Sequence, residues 1–379
     1  MNKVMRILHI VNDLSNIGGI QKWIMNYFEY IDRNKIVFDF AYHNNCEPLN
    51  QSFVDKIYNL GGNVIELPKI SVCSLRENTK IFREVLHRGE KYKIVHCHMA
   101  NAAFLYLKVA KEENVPVRIL HSHQNKAADQ FSHVVRNIPL IKMGLKYSNL
   151  RFACSSLAGD WLFKNQKYQV IPNAIDLQKF DYSEIGRKNI RQKMNCENKF
   201  VIGSVGRLCA QKNYFFAIDV FSKIKKLKHN AVFWIIGIGP LEQKLKAYVE
   251  ALDLKESVIF LGSRNDISDF YQGMDAFFLP SLYEGLGIVN IEAQASGLHC
   301  VVSDAMPKEV FATNLIEAHS LEAPKDEWVN AFLEVVDSNI KRKSSLSLLQ
   351  QANFDIKQQA KNLEKYYLDA LDDTRRIGK

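Results

Sequence analysis

The 379-residue sequence contains no apolar run approaching the ~18–20 residues that a membrane-spanning helix needs, which argues against a transmembrane chain. Its seven cysteines are odd in number and scattered, and Cys97, Cys154 and Cys300 lie in apolar, strand-like surroundings. That usage fits reduced thiols in a cytoplasmic protein and not a disulfide framework. Short-period repeats and low-complexity tracts are missing. So is any aromatic-interleaved basic motif, so nucleic acid is not expected as a partner. The opening stretch "MNKVMRILHIVNDLSNIGG" has only a brief apolar segment, broken by His9, and no small-residue cleavage site. It reads as a buried first strand, not a signal peptide.

What is present is the composition of a globular protein, 47% hydrophobic and 24% charged, in a chain long enough for two cores. The net charge of +9 is unevenly placed. Up to Asn173 there are 23 Lys and Arg against 14 Asp and Glu; from Ala174 onward the count is 27 against 27. Part of the excess (Lys126, Arg136, Lys142, Lys146, Arg151) lies in or near an expected helix with apolar Phe131, Val134, Val135, Ile138 and Leu145. Such a segment is either a solvated helix face or a surface attracted to anionic membrane or to a phosphate-bearing substrate.

Apolar strand, turn and amphipathic helix alternate along the chain, from "MRILHIVN" and "GGIQKWIMNYFEYI" through "VPVRILHSH". The alternation pauses around "IPNAIDLQKFDYSEI" and restarts at "NKFVIGSVGRL". This pattern predicts parallel sheets with right-handed crossovers, in two doubly wound α/β domains. The expected division is residues 1–173, residues 174–354, and a final amphipathic helix over 355–379 that crosses back onto the first domain. Ile356, Ala360, Leu363, Tyr367 and Leu371 lie near one face of that helix. Ligands of such sheets bind at the strand C-termini, here expected at a shared cleft.

Three loops fall at strand ends. "SVGRLCAQKN" puts Arg207 and Lys212 in one loop, where they can converge on one anion or remain solvated cations. "IIGIGPLEQ" offers Gly237 and Gly239 for close backbone approach, but lacks the third glycine of a dinucleotide fingerprint and the P-loop lysine. With Pro240 at a helix start, an ordinary strand-to-helix turn explains it nearly as well. In "SLYEGLGIVNIEAQASG", a helix beginning near Gly287 would aim the amides of Gly285, Leu286 and Gly287 outward with its positive dipole end. That is an anion site suited to a diphosphate. Glu292 would follow roughly 7 Å along the axis, within reach of ribose hydroxyls, and Glu284 would precede the amides, placed for other hydroxyls. The plainer alternative is one capping and one exposed glutamate.

Taken together, "NIGGIQ", "HSH", "IPNAID", "GRLCAQKN", "GIGP", "FLGSRNDISDFY" and "PSLYEGLGIVNIEA" resemble the retaining nucleotide-sugar glycosyltransferases of family 4, of GT-B fold. The pieces run in family order over nearly the whole chain, and Glu284 and Glu292 match the family's paired-glutamate spacing. The look of "HSHQN" and "CSSLAGDWLF" is most like bacterial capsular or exopolysaccharide transferases. The resemblance implies a sugar transferred from a nucleoside diphosphate sugar, UDP-linked by preference, to an acceptor hydroxyl with retained configuration. It implies Gly206, Arg207 and Lys212 on the diphosphate, Glu292 on ribose, and Glu284 on the donor sugar. The backbone at Arg264 and Asn265 would read the base, Gly18 and Gly19 would admit a phosphate or acceptor, and His121 would lie near the donor sugar. Ile238 and Ala174 depart from the family's usual Asp and Gly.

"HCH" (His96, His98) and "HSH" (His121, His123) each put two imidazoles on one strand face, a conceivable metal site. No C-x-x-C or H-x-x-x-H spacing supports it, and the resemblance implies metal-independent chemistry without a cofactor. The acceptor it points to is a saccharide or lipid-linked saccharide, met by a cytoplasmic enzyme visiting the inner membrane face. A nucleotide-sugar epimerase and a non-catalytic nucleotide-sugar binder are the competing readings.

Overall fold

A computed structural model of the chain describes residues 4–14, 18–44, 48–88, 91–124, 131–337 and 342–377. Lys126 lies outside these, as do the side chains of Phe131 and Ser132. The chain folds as two compact units, Met1–Ala174 with Ile356–Lys379, and Ile175–Asp355.

In chain order the first unit contains β1 (Met5–Val11), α1 (Gly19–Tyr30), β2 (Ile36–His43), α2 (Gln51–Asn59), β3 (Val64–Leu67), α3 (Leu75–His87) and β4 (Ile94–Cys97). It continues with α4 (Ala103–Glu112), β5 (Val117–Ser122), α5 (Phe131–Leu145), β6 (Leu150–Ala153), α6 (Ser156–Phe163) and β7 (Gln169–Val170). The seven strands order as β3-β2-β1-β4-β5-β6-β7, all parallel. All eight residues of β2 are buried, which is why it reads as a nearly continuous apolar run. The exception, Asp39, is held by Arg6 Nε at 2.6 Å, Tyr92 Oη at 2.9 Å and the Asn63 amide at 2.7 Å. A buried carboxylate so paired ties β1, β2 and the turn before β3 together.

The second unit contains α7 (Leu177–Phe180), α8 (Glu184–Lys193), β8 (Phe200–Val205), α9 (Tyr214–Leu227), β9 (Ala231–Ile236), α10 (Glu242–Ala251), β10 (Val258–Phe260) and α11 (Ile267–Gly273). Then come β11 (Ala276–Leu279), α12 (Ile288–Ala295), β12 (His299–Ser303), β13 (Ile316–His319), α13 (Lys325–Asp337) and α14 (Leu346–Gln351). Its strands order as β10-β9-β8-β11-β12-β13. Asp275 does here what Asp39 does in the first sheet, pairing with Arg187 and Arg191 and accepting from the Val201 amide at 2.7 Å.

The last helix, α15 (Ile356–Ile377), returns to the first unit. Its face of Ile356, Ala360, Leu363, Tyr367 and Leu371 joins the core formed with Trp23, Tyr27, Phe28 and Phe38. In each sheet the strand order reverses beside the first strand, between β1 and β4 and between β8 and β11. Those reversal points are where the C-terminal ends of parallel strands leave room for a ligand.

Candidate active site

The second unit gathers its sequence-predicted residues on four neighbouring strand ends. Gly206, Arg207 and Lys212 follow β8, Gly237 and Gly239 follow β9, Arg264 and Asn265 follow β10, and Glu284 to Glu292 follow β11. After β8 the chain turns through Gly206 into a single 3-10 turn, Ala210–Lys212, and then into α9. The Lys212 stem lies across Gly206, where an added Cβ would come within 2.9 Å of Lys212 Cε. Lys212 Nζ reaches Glu284 Oε1 at 2.5 Å, with side chains only 13% and 7% exposed. Gln211 fastens the same two loops, donating to the Tyr283 carbonyl at 3.0 Å while its own carbonyl accepts from the Leu282 amide at 2.8 Å.

Gly237 and Gly239 are needed for a reason internal to the unit. Gly237 has φ +141°, and a Cβ there would meet Gly206 O at 2.0 Å; one at Gly239 would meet Leu208 O at 2.4 Å. The two glycines therefore let the loop after β9 lie directly against the loop after β8. Arg207 is exposed and makes no side-chain hydrogen bond or ion pair among the described residues. Arg264 is committed to Asp266 through two bonds, at 2.8 and 2.6 Å, and lies over the Phe270 ring. Asn265 is exposed.

Gly287, at φ +78°, is the N-cap of α12, and no side chain caps the helix start. The helix begins at Ile288, so the amides of Gly285 and Leu286 lie in the loop before its first turn and that of Gly287 at its cap. This loop and the positive dipole end sit beside the Lys212–Glu284 pair, an arrangement able to receive an anion. Leu286 is buried at 2% exposure, so the loop is anchored by one apolar side chain. Glu292 is completely buried and accepts from Tyr271 Oη at 3.0 Å. Burial, then the Glu292 charge, pushes the Tyr271 phenol well above its ordinary range, so it remains a donor to that carboxylate. No sequence signal singled out Tyr271 or Gln211.

In the first unit Gly18 caps α1, its amide meeting Gln21 Oε1 at 3.2 Å, and Gly19 opens on free space. His121, the last residue but one of β5, is 1% exposed and lies within a cluster of five imidazoles. His9 Nδ1 meets His98 Nε2 at 2.9 Å, and His98 Nδ1 meets His123 Nε2 at 2.8 Å. His96 Nε2 meets His121 Nδ1 at 3.1 Å, and Trp23 packs against four of the rings. Burial holds His9 and His123 down at about 3, and holds His96, His98 and His121 well below the ordinary imidazole range. Two sets, His9–His96–His98 and His98–His121–His123, bring ligand atoms within 4.8 Å of one another. Each set is three imidazoles with no carboxylate, and neighbouring rings already meet at hydrogen-bond distance.

Comparison with known proteins gives this geometry its setting. Residues 186–346 match the model of the family described as glycosyl transferases group 1. The UDP-Gal:alpha-D-GlcNAc-diphosphoundecaprenol alpha-1,3-galactosyltransferase of Escherichia coli is 30% identical over 309 residues, covering 76% of this chain and 78% of that one. The chain belongs to the group 1 glycosyl transferases. EpsF of Bacillus subtilis (strain 168), a glycosyltransferase by name, is 28% identical over 372 residues and covers 96% of each chain. Among solved structures, Anabaena HepE in complex with UDP superimposes with a TM-score of 0.79 at 17% identity, covering 96% of this chain and 100% of that one. The GT-B fold of this glycosyltransferase is thus the one the motif order implied. The epimerase alternative finds no support among these relatives.

Proposed function

We propose that this glycosyltransferase moves a sugar from a UDP-sugar to a hydroxyl of a lipid-linked saccharide, with retention of configuration and without a metal. The observation that carries the reading is the Lys212–Glu284 pair set beside the uncapped start of α12. In this reading Arg207, Lys212 and the amides of Gly285–Gly287 take the diphosphate, Glu284 takes donor-sugar hydroxyls, and Glu292, oriented by Tyr271, takes the ribose. Gly206 lets the Lys212 stem lie close, Gly237 and Gly239 support that loop, and the backbone at Arg264 and Asn265 meets the base. In the first unit, Gly18 and Gly19 are the groups assigned to the acceptor or a phosphate, and His121 the group assigned to the donor sugar.

Loss of the nucleotide develops negative charge on the diphosphate, which cations and amides held in place offset without reorganising. A diphosphate oxygen then takes the acceptor proton as the acceptor oxygen bonds to the anomeric carbon on the face the nucleotide leaves. The E. coli relative is named for a UDP-Gal donor and a diphosphoundecaprenol-linked acceptor, and HepE is solved with UDP and with UDP-glucose. Calorimetry against UDP-, GDP- and ADP-sugars is the direct test. Binding of a UDP-sugar alone is the expected result; no heat with any of them would sink the donor assignment.

A lipid-linked acceptor requires contact with a membrane, and α5 offers a suitable surface. Val135, Ile138 and Met143 are 58%, 41% and 46% exposed on the helix that carries the exposed Arg136 and Lys142. No described helix is long and apolar enough to cross a bilayer, so attachment at the cytoplasmic face would be peripheral. Each Lys or Arg near an anionic surface contributes about 1 kcal/mol. Sedimentation with anionic vesicles is expected, falling roughly thirtyfold or more in affinity in an Arg136→Glu, Lys142→Glu variant, since two lost attractions amount to about 2 kcal/mol and the new carboxylates add repulsion. Equal binding to neutral vesicles would remove the electrostatic basis of this surface.

A further inference from the structure

Beneath His121 lies a chain of buried groups that the transfer reaction does not call on. Tyr367, on α15, places its hydroxyl 2.8 Å from His96 Nδ1, and His96 Nε2 lies 3.1 Å from His121 Nδ1. Tyr367 and His96 are 0% exposed and His121 1%. His121 Nε2 is buried and has no hydrogen-bond partner among the described residues.

The phenol and the two neutral imidazoles each bring one proton, and there are only two contacts to fill. The protons can therefore point one of two ways along the chain. If His121 Nδ1 donated to His96 and His96 Nδ1 donated to the phenol, the Tyr367 O–H would have no acceptor among the described residues. His121 Nε2 would then also be a bare lone pair without a donor, leaving two buried groups unsatisfied. In the opposite direction Tyr367 donates to His96 Nδ1, and His96 Nε2–H donates to His121 Nδ1. Only the His121 Nε2–H is then left over. Buried polar groups without partners are costly, so the second arrangement prevails by roughly tenfold or more.

We infer that Tyr367 and His96 are positioning residues that lock His121 in its Nε2–H tautomer, leaving that N–H as the hydrogen-bond donor to an oxygen of a sugar or phosphate ligand at the C-terminal end of β5. The leftover N–H sits at the C-terminal end of β5, the edge of the sheet where ligands of this architecture bind. A ligand oxygen completes the one bond the chain lacks. The lock also bars His121 from acting as a base through Nε2, since that nitrogen already carries its proton. The packing of α15 on the first sheet thereby acquires a chemical consequence as well as a structural one. The inference rests on the donor-sugar reading for the ligand it names, but not for the tautomer itself.

The tautomer can be read directly, in the full-length protein labelled with 15N-histidine, from long-range proton–nitrogen NMR correlations at pH 7.5. The His121 signals are assigned by their loss in a His121→Asn variant. The expected result is a proton on Nε2 of His121. A proton on Nδ1 in the unmodified protein overturns the inference without any further variant. In Tyr367→Phe the count becomes two protons for one contact, and both directions leave two groups unsatisfied. The His121 tautomers should then approach equal populations, with turnover of a UDP-sugar falling about twofold in step with the donor-competent fraction. An Nε2–H tautomer that stays dominant in Tyr367→Phe, with thermal unfolding still cooperative, overturns the lock. A tautomer that shifts as expected, in a protein that neither binds nor turns over a nucleotide sugar, supports the lock and overturns the reading of its ligand.

Discussion

The first unit is expected to lose about 5 kcal/mol of stability between pH 7.5 and pH 5.5, through the four most deeply buried histidines of its cluster alone. His9, His96, His98 and His121 are 0, 0, 4 and 1% exposed, and burial pushes all four imidazoles down, His9 to about 3. In the unfolded chain each would titrate near the ordinary value of 6.5. Below about pH 6.5 the unfolded state therefore binds protons that the folded state refuses, and the stability fully present above that pH is lost as the pH falls. One pH unit below the unfolded value, the difference is about 1.4 kcal/mol per histidine. Four such groups approach the total stability of an ordinary domain, about 5–15 kcal/mol. Urea unfolding at pH 7.5, 6.5 and 5.5 measures this, and Trp23, packed against the cluster, reports on it through its fluorescence. A midpoint that does not move would show that the rings leave the interior and protonate without unfolding the sheet.

The same histidines show what the sequence could and could not convey. Two-residue spacing puts His96 and His98, and His121 and His123, on one face of their segments, and that much was legible. That β4 lies between β1 and β5, with His9 opposite His96, is a fact of sheet order. No local pattern carries it, so the cluster and its proton chain were invisible. The alternation of strands and helices, the pause near Pro172 and the apolar face of α15 were all readable from periodicity. Helices α3 and α8 were not anticipated. Helix α8 has only Ile185 and Ile190 as apolar positions, too few to set a period, whereas α3 carries Leu75, Ile81, Phe82, Val85 and Leu86 at helical spacing, a pattern left unused. Asp39 and Asp275 were passed over for another reason: a carboxylate inside an apolar strand looks like noise until its distant arginine partners are seen.

At the candidate site the types and spacing of Arg207, Lys212, Glu284 and Glu292 were legible, along with the glycine turn between the acids. The pairing of Lys212 with Glu284 was not, since it depends on the loops after β8 and β11 meeting at adjacent strand ends. Gly237 and Gly239 looked like ligand-facing glycines. Their immediate cause is the backbone of Gly206 and Leu208, so they shape the site from behind. Glu292 was placed by helix geometry, but its complete burial against Tyr271 could not be read from the position of Gly287.

Replacing Lys212 with alanine is expected to lower UDP-sugar turnover by about 10²–10³-fold, the range found when one preorganised donor to a developing negative charge is removed. The substitution also strips Glu284 of its cation while that carboxylate is 5% exposed. Breaking a buried pair from one side costs about 3–5 kcal/mol, so lost turnover in Lys212→Ala alone would not separate chemistry from folding. Two companions make the separation. Adding Glu284→Gln to Lys212→Ala removes the stranded charge and should restore much of the stability without restoring turnover. Arg207→Ala removes a cation that is exposed and unpaired among the described residues, so stability should hold within about 0.5 kcal/mol. Its turnover should nevertheless fall, with weaker binding of UDP itself, because Arg207 has no structural duty in its own unit. Turnover that recovers with stability in the double variant, or Arg207→Ala indistinguishable from the parent, would mean that these cations do not hold the diphosphate. The pair would then be an internal brace between two loops, and the anion site would reduce to the amides at the start of α12.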